Sequence, residues 1–512
     1  MKLLNVELFR RKQVTVCLLL VLSCCFFSHA LMGVESKSNG DINVYEKKQL
    51  FIFPMVCNNH ISSERKDFLE NQLYKMFVID FKRIDYCSIK AEDTIDSFLQ
   101  DAHAYILKNI KSITTKRLQP DGKFKEEMVT AEDLLKTTEN AFVLVPVIDS
   151  LKKEAVCKKN STDYIYTMYV HFDIYSTKTK EKLKTLQINN KTNLLGSLAS
   201  ISGGFEVDNS DLAGLPEETQ KDEETFRSSS TGLFVVLKKQ LKEMPEFRIT
   251  AALSKVNHTS FGFDMGKDSS IKIDHRYKTY VTTADGKQKM TGFGKIRTVA
   301  DSSSEAQILI GHPTEGDQVM EEPKVGINVT AGLGVMPCNI ALSDSYNDYA
   351  VTGSHMCLLL GLEYELGPVI GASELYAGLN LRLGSPAFAP TSFIIYGDKY
   401  VAQVIVNAGV IKKFYFRRFA LQLGGFLGVH AASIAELHSD YDKITGGSIG
   451  FTLNSQLEIM IAPSVSAYGG INLDVYPNPA ELDVDGDTYD FPKGASWKAV
   501  GLGLNFGLKV TL

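Results

Sequence analysis

The chain has 512 residues, 44% of them hydrophobic, 22% charged, with a formal net charge of −5. That length exceeds what one core usually supports, so several domains are expected. The mild acidity leaves no basic footprint and argues against nucleic acid as a partner.

Residues 1–30 read as a secretory signal: Arg10, Arg11 and Lys12 precede an apolar run over 14–27, and Ser28-His29-Ala30 offers a small residue for cleavage. Residues 21–24 loosely match a lipoprotein box ending at Cys24, although Leu22 is large for its place and Phe26-Phe27 continue the apolar run. No other segment is apolar for long enough to span a bilayer as a helix. If the protein crosses a membrane, it does so with strands.

Residues 48–245 alternate strand-like and helix-like patterns. Strands are expected over 50–56, 78–83, 141–148, 164–175 and 183–188. Helices are expected over 64–77, 131–140 and 226–244, and a loop over 201–223. The pieces LFIFPM, MFVID, TAEDLLKTTENAFVLVPVID, YIYTMYVHFDIYSTKTKEKL and LKKQLKEMPEFRI occur in this order. Together they resemble the periplasmic α/β domain of the CsgG-like family, related to the TolB N-terminal domain and the middle of FlgT. The resemblance implies a periplasmic binding domain. Members of that family form pores through inserted apolar hairpins, and none is found in residues 48–245, so the pore mechanism is not carried over.

Residues 247–323 contain FGFDMGKDSSIKI, GKIRTVADSSSEAQIL and EGDQVMEEP. These resemble the compact SH3-like β-domain of FlgT-type proteins, which implies an all-β fold with turns at the MGK and GD elements. Residues 262–267 lack Walker spacing, and no Ser or Thr follows Lys267, which argues against a phosphate loop.

From residue 324 apolar and polar residues alternate with period two in eight runs: 325–335, 356–366, 374–383, 401–411, 419–430, 449–461, 465–475 and 500–512. The fourth alternates least cleanly. Most reach the ten or so residues that a tilted spanning strand needs. Connections alternate short (367–372, 412–418, 462–464) with long (337–355, 384–400, 432–447, 477–496), as periplasmic turns alternate with extracellular loops. The sequence given ends on a strand, at Leu512 where an aromatic residue is usual. Phe414, Tyr415, Phe416, Tyr476 and Trp497 are candidates for aromatic girdles. The region resembles the small OmpA-type barrels, which implies an outer-membrane location, lipid around the wall and both barrel ends in the periplasm. A soluble β-sandwich is the competing reading, because it shows the same alternation.

On the barrel reading Glu363, Glu365, Glu374, Arg382, Glu458, Asp474 and Lys509 face inward, where they must pair with one another, since an isolated buried charge is costly. A plugged interior then follows rather than a pore. Five cysteines lie outside the signal, an odd number. Cys338 and Cys357, at the mouth of the first long loop, have the parity of the inward face and are expected to form a disulfide; free thiols are the alternative. Asp483, Asp485, Asp487 and Asp490 surround Gly486 in the last long loop, a pattern that holds calcium or is simply a solvated acidic loop. No other cofactor is indicated.

The sequence has no HExxH, paired CxxC or Walker motif. Gly446, Ser448 and Gly450 fit GxSxG without the strand-to-helix setting of a nucleophile elbow. The fold expected is therefore multidomain: a periplasmic α/β domain, a small all-β SH3-like domain and an eight-stranded antiparallel transmembrane β-barrel over 324–512. The expected role is non-enzymatic, a barrel that anchors binding or scaffold domains to unidentified periplasmic or envelope proteins. A narrow channel and a surface adhesin acting through the long loops are the alternatives.

Overall fold

The computed structural model describes residues 45–512 except 59–60, 82–83, 90–94, 119–123, 159–160, 190–208, 210–211, 344–347, 385–398, 437–443, 485–486 and 493. The expected signal segment lies outside the described residues.

The first part is a mixed sheet. Its strands are β1 (Lys48–Ile52), β2 (Val56–Cys57), β3 (Ile84–Ile89), β4 (Ile113–Leu118), β5 (Phe124–Met128), β6 (Phe142–Lys158), β7 (Ser161–Ser176) and β8 (Lys182–Asn189). They are ordered β5-β4-β3-β1-β6-β7-β8, with β2 beside β6 and β1 parallel to both β3 and β6. Alternation along β1 sends Leu50 and Ile52 to one face and Phe51 and Phe53 to the other. Helices α1 (Ser63–Lys75) and α5 (Glu217–Glu243) cover the first face; α2 (Ile95–Gln100), α3 (Ala102–Asn109) and α4 (Ala131–Thr137) cover the second. The Ser62 hydroxyl caps α1 by accepting from the Arg65 N–H.

Several boundaries differ from those expected. Residues Met76–Asp80 continue α1 as a π-turn, and the strand begins only at Ile84, because Met76 and Phe77 pack into the core beneath the sheet. Pro54, which has no N–H to donate, separates β1 from β2. Residues 217–223, expected as loop, begin α5, with Glu217 and Glu218 at its positive end.

Strands β9 (Thr250–Val256), β10 (Ser260–Phe263), β11 (Arg276–Thr282), β12 (Gln288–Val299), β13 (Ser304–Gly311) and β14 (Gln318–Glu322) close into a small barrel around Phe261, Phe263, Tyr277, Ile296 and Val319. Tyr45 belongs to the same core and donates its N–H to the Thr250 carbonyl, so the segment ahead of β1 ties the sheet to this barrel. Lys242 of α5 and Glu321 of β14 add an ion pair at 2.9 Å.

Residues 323–326 lead directly into the large barrel. Its wall is β15 (Ile327–Ser343), β16 (Asp348–Glu365), β17 (Leu375–Gly384), β18 (Lys399–Phe416), β19 (Phe419–Glu436), β20 (Ile444–Ala462), β21 (Val465–Tyr476) and, after the hairpin β22 (Glu481–Val484) and β23 (Asp487–Asp490), β24 (Ser496–Thr511). Neighbours are antiparallel, and the pairings β19–β20 and β15–β24 complete the ring. A one-turn helix α6 (Gly367–Ile370) forms the first short connection. The eight alternating runs are these eight strands.

The barrel is inside-out for water. Its outward side chains are apolar and open, with Ile449 77%, Leu427 73% and Leu502 68% exposed, while Glu363, Arg382, Asp474 and Lys509 are buried within. This orientation excludes the soluble sandwich, which would bury the apolar face.

Candidate functional site

The lumen is filled by side chains in tiers, which the short inward-facing steps of each strand stack from the short-turn end upward. Lowest is a quartet of opposite charges. Lys413 lies 2.7 Å from Glu363 and 3.1 Å from Glu458; Lys509 lies 2.7 Å and 2.8 Å from the same two carboxylates. Gln422 and Asn328 take up further hydrogen-bonding capacity of this quartet. Two cations against two anions leave no net charge, which is how such a group tolerates burial.

Above it lies a cavity of about 40 Å³, lined in part by Asn380, Asn454, Asn472, Asn505 and Tyr468. It has room for about one or two waters. Higher still, Arg382 grips Asp474 with both guanidinium ends, at 2.8 Å and 2.5 Å, and Thr452 joins at 2.8 Å. The top tier holds Gln403 between His355 and His430, beside Met336, Cys338, Cys357 and Trp497.

The short-turn mouth is not open to solvent, because the small barrel sits on it. Lys295 of β12 reaches Glu365 at 2.6 Å, Glu374 at 3.1 Å and the Tyr376 hydroxyl at 2.8 Å. Arg297 pairs with Asp274 at 2.5 Å and with Glu374 at 2.7 Å. Asp274 in turn accepts from the Glu374 N–H at 2.6 Å and from Ser373. Burial and the nearby Glu374 carboxylate push the Asp274 carboxyl from an ordinary 3.8 up to about 6.

The other short turns are held too. Gln307 donates to the Tyr415 carbonyl, Arg417 to the His258 carbonyl and Arg276 to the Pro463 carbonyl. Phe293, Leu309, Ile310, Met460 and Tyr415 make an apolar patch across the same junction.

The sequence-derived residues therefore fall in different places. Glu363, Arg382, Glu458, Asp474 and Lys509 pair within the lumen. Glu365 and Glu374, expected to pair there as well, instead take their counter-ions from the small barrel. Asp274, Glu365 and Glu374 are also the one group of three possible metal ligands within 4.8 Å among the described residues. Lys295 and Arg297 already occupy the positions a cation would take.

Lys413 escaped the sequence reading because it was assigned to a turn. Its parity with Ile411, which is inward and buried, is the signal that finds it. Nothing in the sequence singled out Asp274, Arg276, Lys295 or Arg297.

One expectation needs correction. Cys338 and Cys357 are not joined; each remains a thiol. The strands run on through Pro337, so Cys338 stands opposite Gly353 and Cys357 opposite Gly334. Four residues of strand, roughly 13 Å, part the two positions, beyond the 7 Å or so a disulfide spans. Of the candidate calcium ligands, Asp485 lies outside the described residues, and Asp483, Asp487 and Asp490 sit on the β22–β23 hairpin. Its register, Asp483 opposite Thr488 and Asp487 opposite Val484, puts Asp483 and Asp490 on one face and Asp487 on the other. Ser448 of the GxSxG match is a buried strand residue paired with His430.

No family model matches the chain, and no curated protein matches it. Among solved structures, Neisserial surface protein A is 16% identical, with 36% of this chain and 97% of that chain covered and a TM-score of 0.25. A major outer membrane protein from Thermus thermophilus is 12% identical, covering 36% of this chain and 99% of its own at a TM-score of 0.25. The outer membrane protease OmpT from Escherichia coli is 10% identical, covering 51% and 99% at a TM-score of 0.23.

Proposed function

We propose that the protein is a non-enzymatic outer-membrane anchor. In this reading the large barrel sits in lipid and holds the small barrel and the α/β part on the periplasmic side, where they bind envelope partners. The observation that carries the reading is the junction: Lys295 and Arg297 of one barrel neutralise Glu365 and Glu374 of the other in a buried contact. Fixing a soluble module in this way serves a protein that positions it. The apolar outer wall supports placement in lipid, and the domain resemblances read from the sequence support a periplasmic binding role.

The paired lumen speaks against conduction, since the quartet, the Arg382–Asp474 clamp and the docked barrel block the axis in succession. In vivo photocrosslinking from the exposed face of the α/β part, read by mass spectrometry, tests the scaffold role. Reproducible envelope proteins captured by the full chain support it. Stepwise ion conductance of the purified protein in planar bilayers would replace it with the channel reading.

A further inference from the structure

The side of the small barrel that faces the large one continues past the junction. On β11, Arg276, Lys278 and Tyr280 share one face, and their partners across the ladder are Lys295, Phe293 and Met290 of β12. The first pair reaches the rim: Arg276 donates to the Pro463 carbonyl at 3.3 Å and Lys295 to Glu365 at 2.6 Å. Phe293 belongs to one apolar cluster with Met460 and Tyr415. Tyr280 and Met290 lie farther along the same face, roughly 10 Å beyond Phe293. Met290 is 40% exposed.

Basic side chains gather beside this face. Lys324 stands just ahead of β15, and its neighbour Val325 donates to the Leu512 carbonyl at 2.9 Å, so it is fixed at the rim where the first and last strands meet. Burial pushes the Lys324 ammonium below its ordinary 10.5, and the like charges of Arg276, Lys239 and Lys278 push the same way against Glu322. Lys278 pairs with Glu322 at 2.9 Å and Lys239 with Glu243 at 4.0 Å. Lys324 has no hydrogen bond or ion pair among the described residues. Arg276 is 6% exposed, and its Nε has no partner among them either. A partly buried ammonium without a counter-ion beside an unsatisfied guanidinium N–H calls for an anion.

We propose that this face binds the headgroup phosphate of one anionic phospholipid from the periplasmic leaflet around the large barrel, with Lys324, Lys278 and Arg276 on the phosphate and Tyr280 and Met290 against the glycerol and upper acyl chain. The inference rests on the placement in lipid proposed above. Lipid rather than free phosphate is the occupant because of where the cations stand. Lys324 lies at the foot of the apolar wall, which is open from Leu508 upward, so the headgroup layer falls at its level. Lysine and arginine near an anionic leaflet are favoured there, and a tyrosine suits the same layer with its ring toward hydrocarbon and its hydroxyl toward water. Met290 offers apolar contact that a free ion has no means to use.

The test uses the full-length protein, delipidated in a neutral detergent and titrated with dihexanoyl phosphatidylglycerol or dihexanoyl phosphatidylcholine. Native mass spectrometry counts the lipid retained. About one phosphatidylglycerol per chain should stay bound, about tenfold more tightly than phosphatidylcholine, and Lys324→Gln should weaken its retention about fivefold. Adding Lys278→Gln should weaken it further. Lys289→Gln should leave it unchanged, because Lys289 pairs with Val281 on the opposite face of the hairpin. Heat-dependent gel migration reports whether each variant still forms the barrel. If Lys324→Gln does not fold, the wild-type preference between the two lipids and competition by inorganic phosphate decide. Equal retention of the two lipids, equal loss in Lys324→Gln and Lys289→Gln, or displacement of the lipid by equimolar inorganic phosphate would overturn the site. Flotation after reconstitution into vesicles of long-chain phosphatidylglycerol and phosphatidylcholine separates this failure from a wider one. Protein that floats without retaining phosphatidylglycerol preferentially loses the headgroup site alone; protein that stays out of the vesicles loses the placement in lipid as well.

Discussion

Lys295 of the small barrel and Glu365 of the large barrel meet at 2.6 Å with their side chains almost wholly buried. Each is the other's means of being charged away from water. Removing one partner of such a pair strands the other and costs about 3–5 kcal/mol. Lys295→Met should therefore loosen the junction, and limited proteolysis should cut residues 323–326 faster than in the wild type. Adding Glu365→Gln should recover part of the loss, as expected for directly coupled positions. A Lys295→Met protein with wild-type protease resistance would show that the contact holds nothing.

The two barrels should also depend on each other unequally. Alone, residues 324–512 would carry Glu365 and Glu374 at the mouth without Lys295 or Arg297, whereas the quartet and the Arg382–Asp474 clamp would stay balanced. The isolated large barrel is expected to fold but to lose its heat-resistant gel form at a lower temperature than the full chain. Replacing both carboxylates with Gln should restore most of the difference. No difference between isolated barrel and full chain would contradict this charge accounting.

Asp274 gives the junction a pH dependence of definite sign. Its folded-state pKa, about 6, lies above the ordinary 3.8, so the folded state holds this proton more tightly than the unfolded one. The stabilisation from this proton is complete below about pH 4 and fades as pH rises through 6. Urea midpoints between pH 5 and 7.5 should fall more steeply in the wild type than in Asp274→Asn, which cannot titrate there. Parallel slopes would locate the titration elsewhere.

The lumen predicts its own failure point. Lys413→Met leaves Glu363 and Glu458 to share Lys509, and should destabilise the barrel by about 3–5 kcal/mol. Lys413→Arg should be milder, since it keeps the charge. Unfolding in urea from detergent micelles measures both; equal losses for Met and Arg would mean that packing, not charge, matters at this position.

Topology can be read with tags. An epitope inserted after Val484, at the tip of the β22–β23 hairpin, should be reached by antibody on intact cells, because hairpin tips tolerate insertion. One inserted within α6 should stay hidden until the envelope is opened. The opposite pattern would turn the barrel over.

The wall was legible in the sequence because lipid-type and lumen-type residues alternate with the pleat. β18 blurred that pattern for a physical reason: Val401, Ile405 and Ile411 fill the lumen with apolar volume, so both faces read alike. The disulfide expectation fails because strand pairing continues from Pro337 to Ser343, over residues that read as a long loop in the sequence. The junction was hidden for a different reason. Lys295 and Glu365 stand 70 positions apart in two separate patterns, and a lysine on a small β-domain ordinarily reads as solvated surface.

The contacts between the barrels fall at three separated turns of one rim: residues 365–376 bear on Lys295 and Arg297, Tyr415 and Arg417 on Gln307 and His258, and Pro463 on Arg276. Three supports fix a plane as the legs of a tripod do. The small barrel can neither rock nor swivel without lifting a foot, and lifting the first foot exposes buried charge. A sideways pull on the α/β part, if it passes through the small barrel undiminished, is then delivered to the wall as a tilting moment that the surrounding apolar belt must resist.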